Sequence, residues 1–251
     1  MLKRLSIALI ALMLTVGAVL VPTQPTYAQE KLKYGDTVDS EISADVKEVT
    51  FTFTGKKDDT VIVQVVPLEN ADGSTLDVGA ILSDPSGTQL IDANEDYAKI
   101  FVGAYAKAFV EFLPVDGDYT ITVSSTDPDR VGKFTLQVFQ PETIDFGQPV
   151  SVSSSFKGFS RYLGIYTIPS DKPFTLIFSQ DEGDTGLSVG VLEYYNDFLR
   201  KVAGADATNA SEVGFTMRAG RADTYFVTVA SPGYVVADAT LKYSISAKLL
   251  E

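Results

Sequence analysis

The feature that most narrows what this chain can become is a strand–turn–strand unit used twice. Residues 74–93 read STLDVGAILSDPSGTQLIDA, and 111 residues after Leu76 a weaker copy follows, GLSVGVLEYYNDFLRKVAGA from Gly186 to Ala205, in which Leu187 to Leu192 lie over Leu76 to Ile81. In the first copy Leu76, Val78, Ala80 and Leu82 alternate with Asp77, Gly79 and Ser83, the period-2 pattern of a half-buried strand, broken only at Ile81. Asp84-Pro85-Ser86-Gly87 is the turn. Pro85 presets φ, Asp84 can accept a hydrogen bond from the backbone two residues on, and Gly87 closes it.

The echo extends on both sides of the hairpin. Tyr34-Gly35-Asp36-Thr37-Val38 is matched by Phe146-Gly147-Gln148-Pro149-Val150. Val49, Phe51 and Phe53 alternate with Thr50, Thr52 and Thr54, and Tyr162, Tyr166 and Ile168 fall on one face of the matching strand. Apolar strands follow at Val61–Val66 and Phe174–Phe178, then Tyr119, Ile121 and Val123 match Tyr225, Val227 and Val229, and closing strands run from Lys133 and Lys242. Seven or eight short strands per unit of about 110 residues, separated by Gly, Pro and Asp turns, predict an all-β chain of two tandem antiparallel β-sandwiches, residues 30–140 and 141–251. Residues 97–109 are the best helix candidate, but their β-branched and aromatic content argues for strand.

Residues 1–28 stand apart as a predicted secretory signal peptide. Lys3 and Arg4 precede an apolar run from Leu5 to Val21, Pro22 and Pro25 break it, and Thr26-Tyr27-Ala28 suits cleavage before Gln29. The rival, an uncleaved membrane anchor, is the weaker reading because the run is at the short end for spanning and a cleavage site follows it. Removing Lys3 and Arg4 from the 20 basic side chains leaves 18 against 33 acidic ones, a formal −15, which repels phosphate backbones and argues against nucleic acid. The chain has no cysteine, so an exported domain must hold by burial alone. It also has no histidine, which removes Ser-His-Asp catalysis, His-ligated metals and His-based pH switching.

The order of these motifs carries a resemblance. Tyr34 to Asp36, Leu76 to Leu90, Asp92 to Asp96, Asp116 to Val123 and Gly132 to Val138 together resemble the bacterial pre-peptidase C-terminal domain, over nearly all of residues 34–140. Residues 146–247 are similar only in outline: Tyr194-Tyr195-Asn196-Asp197 replaces the Asp-Pro-x-Gly turn, and no acidic loop follows. The resemblance implies a jelly-roll-like sandwich of a kind usually appended to secreted peptidases, associated with secretion, substrate or matrix binding, and sometimes calcium. No peptidase accompanies it in these 251 residues.

Two stretches are candidate sites. Asp92-Ala93-Asn94-Glu95-Asp96 has the D-x-N-x-D start of a calcium loop, with Asp92, Asn94 and Asp96 as ligands, but Tyr97 and Gly103 stand where an EF-hand needs Gly and Glu. A solvated acidic turn is the competing reading. At Tyr194-Tyr195 adjacent strand residues point to opposite faces, so one ring, assigned to Tyr195, lies outward to stack on a sugar or a protein, unless it serves a contact between the units. Paired carboxylates can run glycoside hydrolysis, but with 33 acids some suitably spaced pair is inevitable. No nucleophile motif or phosphate loop accompanies them. The expected function is a non-catalytic binding or adhesion module of the envelope or extracellular space, with a protein or polysaccharide partner, no cofactor beyond a candidate calcium ion, and no membrane insertion after signal cleavage. A hydrolase using acidic residues and a purely structural envelope protein are the alternatives.

Overall fold

The computed structural model describes residues 30–250 apart from 69, 72, 96–99, 103–105, 156–161, 184–185, 196–197, 208–211, 219–223 and 231–239. The predicted signal peptide and Asp96 therefore lie outside the described residues. All described regular structure is β.

Unit 1 runs β1 (Glu30–Leu32), β2 (Thr37–Ile42), β3 (Glu48–Gly55), β4 (Thr60–Pro67), β5 (Val78–Ser83), β6 (Gln89–Asp92), β7 (Ile100–Val102), β8 (Lys107–Phe112), β9 (Gly117–Ser125) and β10 (Gly132–Phe139). Unit 2 runs β11 (Glu142–Thr143), β12 (Val150–Ser155), β13 (Tyr162–Pro169), β14 (Phe174–Glu182), β15 (Leu187–Tyr195), β16 (Phe198–Ala207), β17 (Glu212–Met217), β18 (Thr224–Ala230) and β19 (Thr240–Leu249). The repeat is exact in topology. Sheet I, β1-β3-β9-β5-β6, is reproduced by sheet III, β11-β13-β18-β15-β16, and sheet II, β2-β10-β4-β8-β7, by sheet IV, β12-β19-β14-β17. Only β7 lacks a described counterpart.

Ten and nine described strands exceed the seven or eight expected. The surplus is β1, β7 and β11, two or three residues each and too short to show a period-2 pattern. Two of them also depart from the all-antiparallel expectation, because β1 pairs parallel with β3 and β11 pairs parallel with β13. The hairpin strand begins at Val78 rather than Leu76, although Leu76 is fully buried. Its turn forms as predicted: Asp84 Oδ1 accepts from Ser86 Oγ at 2.6 Å, Ser86 N at 2.8 Å and Thr88 N at 2.9 Å, and Gly87 sits at φ +85°. The Ser86 hydroxyl, and with it those backbone amides, holds the Asp84 carboxyl below its usual range.

Each unit has its own core. In unit 1 Phe51, Phe53, Phe109, Tyr119 and Phe134 close it, and in unit 2 Phe174, Phe178, Tyr225 and Tyr243 do. A third apolar cluster joins the two. Ile62, Val110, Phe101, Phe112 and Phe139 from the outer face of sheet II pack against Ile165, Phe226, Leu192, Tyr194 and Leu199 from the outer face of sheet III. Phe112 meets Tyr194 with ring centroids 4.7 Å apart, and Phe101 meets Phe226 at 5.6 Å. β4 and β18 therefore bury both faces, which is why their sequences, VIVQVV and YFVTV, are apolar at all but one position each where a half-exposed strand would alternate.

Phe226 is fully buried in this junction. Phe226→Ala is expected to cost about 3–5 kcal/mol, the usual range for emptying a buried phenylalanine site. Urea denaturation measures it; a loss below about 1 kcal/mol would show that the ring does not hold the sheets together.

Candidate functional site

The β15–β16 hairpin is the most altered copy of the repeated unit. In unit 1, β5 and β6 pair over three rungs; in unit 2, β15 and β16 pair over nine, with a bulge after Val191, and the tip rung sets Tyr195 directly opposite Phe198. The next rung in the same direction, Tyr194 opposite Leu199, faces the other way and packs into the inter-unit cluster. Alternation then puts Glu193 and Arg200, the third rung, on the same face as Tyr195 and Phe198. This face carries a pair of rings and, about 7 Å along the strands, a carboxylate with a guanidinium.

Both rings are open to solvent, Phe198 at 60% and Tyr195 at 38% exposure. Cross-strand partners stand with their Cβ atoms about 5 Å apart, which sets the two rings side by side on one face. Glu193 is buried beside Tyr225, its neighbour on β18, and Arg200 reaches it from the sheet edge with an Nη2–Oε1 contact. The pair is charge-assisted and self-neutralising, with the guanidinium side still mostly in water. Such a surface offers apolar area for the C–H face of a ring and fixed donors beside it for polar substituents.

Alternation predicts an outward Tyr195 at this dipeptide, with a contact between the units as the competing expectation. The structure divides these roles between neighbours, with Tyr195 outward and Tyr194 at the unit junction. Phe198, Glu193 and Arg200 were missed. The signal that brings them together is the cross-strand register, and the two-residue gap between Tyr195 and Phe198 was its only trace in the sequence.

The acidic stretch lies on the opposite side of unit 1. Asp92 and Asn94 both point to the outer face of sheet I, with Ile91 and Ala93 in the core between and before them. Asp92 Oδ1 accepts from Asn94 N at 2.9 Å, the two-residue turn bond of an Asx motif. Asn94 folds its carboxamide over Gly79, where a Cβ would lie 2.7 Å from Nδ2, and its Oδ1 is buried with no hydrogen-bond partner among the described residues. Asp96 is outside the described residues.

No protein-family model matches the chain, and no curated protein matches it. Among solved structures it is similar to the pre-peptidase C-terminal domain of collagenase from Bacillus anthracis, at 16% identity over 44% of this chain and 93% of that one, TM-score 0.32. It is also similar to PliG, a periplasmic inhibitor of g-type lysozyme from Aeromonas hydrophila, at 12% identity over 45% and 98%, TM-score 0.30. The CBM22-1–CBM22-2 tandem domain of Xyn10C from Paenibacillus barcinonensis shares 9% identity over 80% and 82%, TM-score 0.28. Likenesses this distant identify neither a shared family nor a shared ligand.

The platform's geometry makes a stability prediction. Arg200→Met leaves the Glu193 carboxylate buried without its ion partner and is expected to cost about 1–3 kcal/mol, whereas Phe198→Ala, at an exposed tip, should stay within about 0.5 kcal/mol of the parent. Chemical denaturation of both variants checks it; equal losses would place the energetic anchor of the hairpin elsewhere.

Proposed function

We propose that the chain is an exported, non-catalytic binding module of two tandem pre-peptidase-C-terminal-like sandwiches, the second divergent, whose ligand surface is the end of the β15–β16 hairpin. The observation that carries this reading is the Tyr195–Phe198 rung, two large rings left in water on an extended hairpin, the only exposed aromatics among the described residues. A polysaccharide suits it best. Sugar rings present apolar C–H faces to aromatic platforms, and their hydroxyls match the adjacent Arg200–Glu193 pair. A hydrolase reading lacks the same support, because glycoside hydrolysis uses two carboxylates across the bond and Glu193 is tied to Arg200. The strong net negative charge steers the surface toward neutral rather than anionic chains.

Co-sedimentation of the mature chain with cellulose, chitin, peptidoglycan and collagen tests the proposal. Retention on at least one polysaccharide is expected, weakened about tenfold or more by Phe198→Ala and by Tyr195→Ala, the effect of removing a central aromatic contact. Retention on collagen alone would favour a protein ligand, and wild-type retention by both variants would move the site off the hairpin.

Calcium at Asp92 and Asn94 is a second reading, favoured by the buried, unpartnered Asn94 Oδ1 beside the Asp92 carboxylate. Under it, calcium at constant ionic strength raises the melting temperature and magnesium or potassium does not. Equal melting in the three salts, or a calcium shift that survives Asp92→Ala, rules the ion out.

A further inference from the structure

A second polar feature lies where the two units meet, and it is independent of the hairpin. Gln64 is the one polar residue in the run Val61–Val66, yet it is only 8% exposed. A carboxamide this far from water keeps its place by polar contacts that valine or leucine would not need, and it makes the surroundings of this rung polar. Directly across on β10 stands Gln137. The rung two residues along, Ile62 opposite Phe139, belongs to the apolar junction, which fixes the direction of the glutamine rung: it faces unit 2. There the sheets do not close. They leave a cleft of about 260 Å³ lined by Gln64, Gln137, Gln140 and Phe139 on one side and by Glu142 and the Gly164–Tyr166 stretch of β13 on the other.

The far wall is built to stay open. β11 covers β13 only at Tyr166 and Thr167, so the main chain of Gly164 and Ile165 has no strand partner on that side among the described residues. The chemistry is one-sided. The carboxamides bring N–H donors and C=O acceptors, Glu142 adds an acceptor, Phe139 adds apolar area, and no lysine or arginine is among the lining residues. That set accepts a neutral, hydroxyl-rich molecule and repels an anion. Its volume falls below the roughly 300–1,000 Å³ of sites for drug-sized ligands, which limits the occupant to a single ring.

The geometry points to a binding site for one neutral sugar ring in the cleft between the two sandwiches, held by the Gln64–Gln137 rung, Gln140 and Glu142. Neither unit forms it alone.

Titration of the full chain, ¹⁵N-labelled, with glucose, N-acetylglucosamine and glycylglycine amide, followed through the glutamine side-chain NH₂ signals, tests the site. Saturable shifts of the Gln64 and Gln137 signals with at least one sugar are expected. Affinity should fall at least tenfold in Gln137→Leu and in Gln140→Ala, and be unchanged in Phe198→Ala, whose loss of polysaccharide retention reports on the hairpin alone. Gln140 is exposed, so that variant stays informative if the leucine disturbs docking of the units. Absence of saturable shifts with either sugar, shifts with the dipeptide amide only, or full sugar affinity in Gln140→Ala overturns the proposal.

Discussion

The structure depends on strands that are apolar on both faces. A single β-sandwich of this size needs one apolar face per sheet, and sheets I and IV have that. Sheets II and III have two. Ile62 and Val110 on one side of the junction, and Phe226 and Ile165 on the other, are surfaces that neither sandwich can cover by itself. Burying a large apolar side chain is worth about 1.5–3 kcal/mol, so leaving this set in water would cost each unit a sizeable part of a typical domain's stability. The two units are thus held as a stack of four sheets, and everything else of functional interest is placed by that stacking. Tyr194 and Leu199 anchor one face of the β15–β16 hairpin in the junction, which orients the opposite face, with Tyr195 and Phe198, toward solvent.

Much of this was legible in the sequence, and the reason differs from element to element. Strands half in water announced themselves by period: Phe51 and Phe53 against Thr50, Thr52 and Thr54, or Tyr119, Ile121 and Val123 against their threonines, all placed as expected. The repeat was equally visible, because a duplicated fold keeps its turn residues in order. What was not legible is what depends on the partner strand. Gln64 reads as an interruption in an apolar run until the register sets it opposite Gln137. Phe198, Glu193 and Arg200 are unremarkable in sequence and become a surface only when β15 folds back on β16. The mostly apolar run of β4 is plain in the sequence but its consequence is not, since a strand buried on both faces names no partner.

Duplication explains why the hairpin platform belongs to unit 2 alone. In unit 1 the equivalent turn is spent on the fold itself. Pro85 packs so closely over Gly117 that a Cβ there would lie 2.5 Å from its ring, locking the β5–β6 turn onto the turn before β9. Tyr119, following that turn, donates its hydroxyl to Val115 O at 2.6 Å and closes the same corner. Unit 2 keeps the tyrosine, as Tyr225, but has no Asp-Pro-x-Gly turn to dock, and its longer hairpin is free to project.

Stacking sheet II on sheet III is a head-to-tail arrangement, because the two units present different faces to each other, and such contacts propagate into filaments when the terminal faces are complementary. Here they are not. The outer face of sheet I carries Thr50, Thr52, Thr120 and Thr122, and that of sheet IV carries Thr175, Ser244, Ser246 and Lys248, while their counterparts at the junction are Ile62, Val110, Phe112 and Phe226. A threonine-rich sheet face stays hydrated and offers too little apolar area to bind another. The net charge works in the same direction, since two acidic chains repel before their exposed rings can meet. Both features oppose end-to-end association through the outer faces of sheets I and IV.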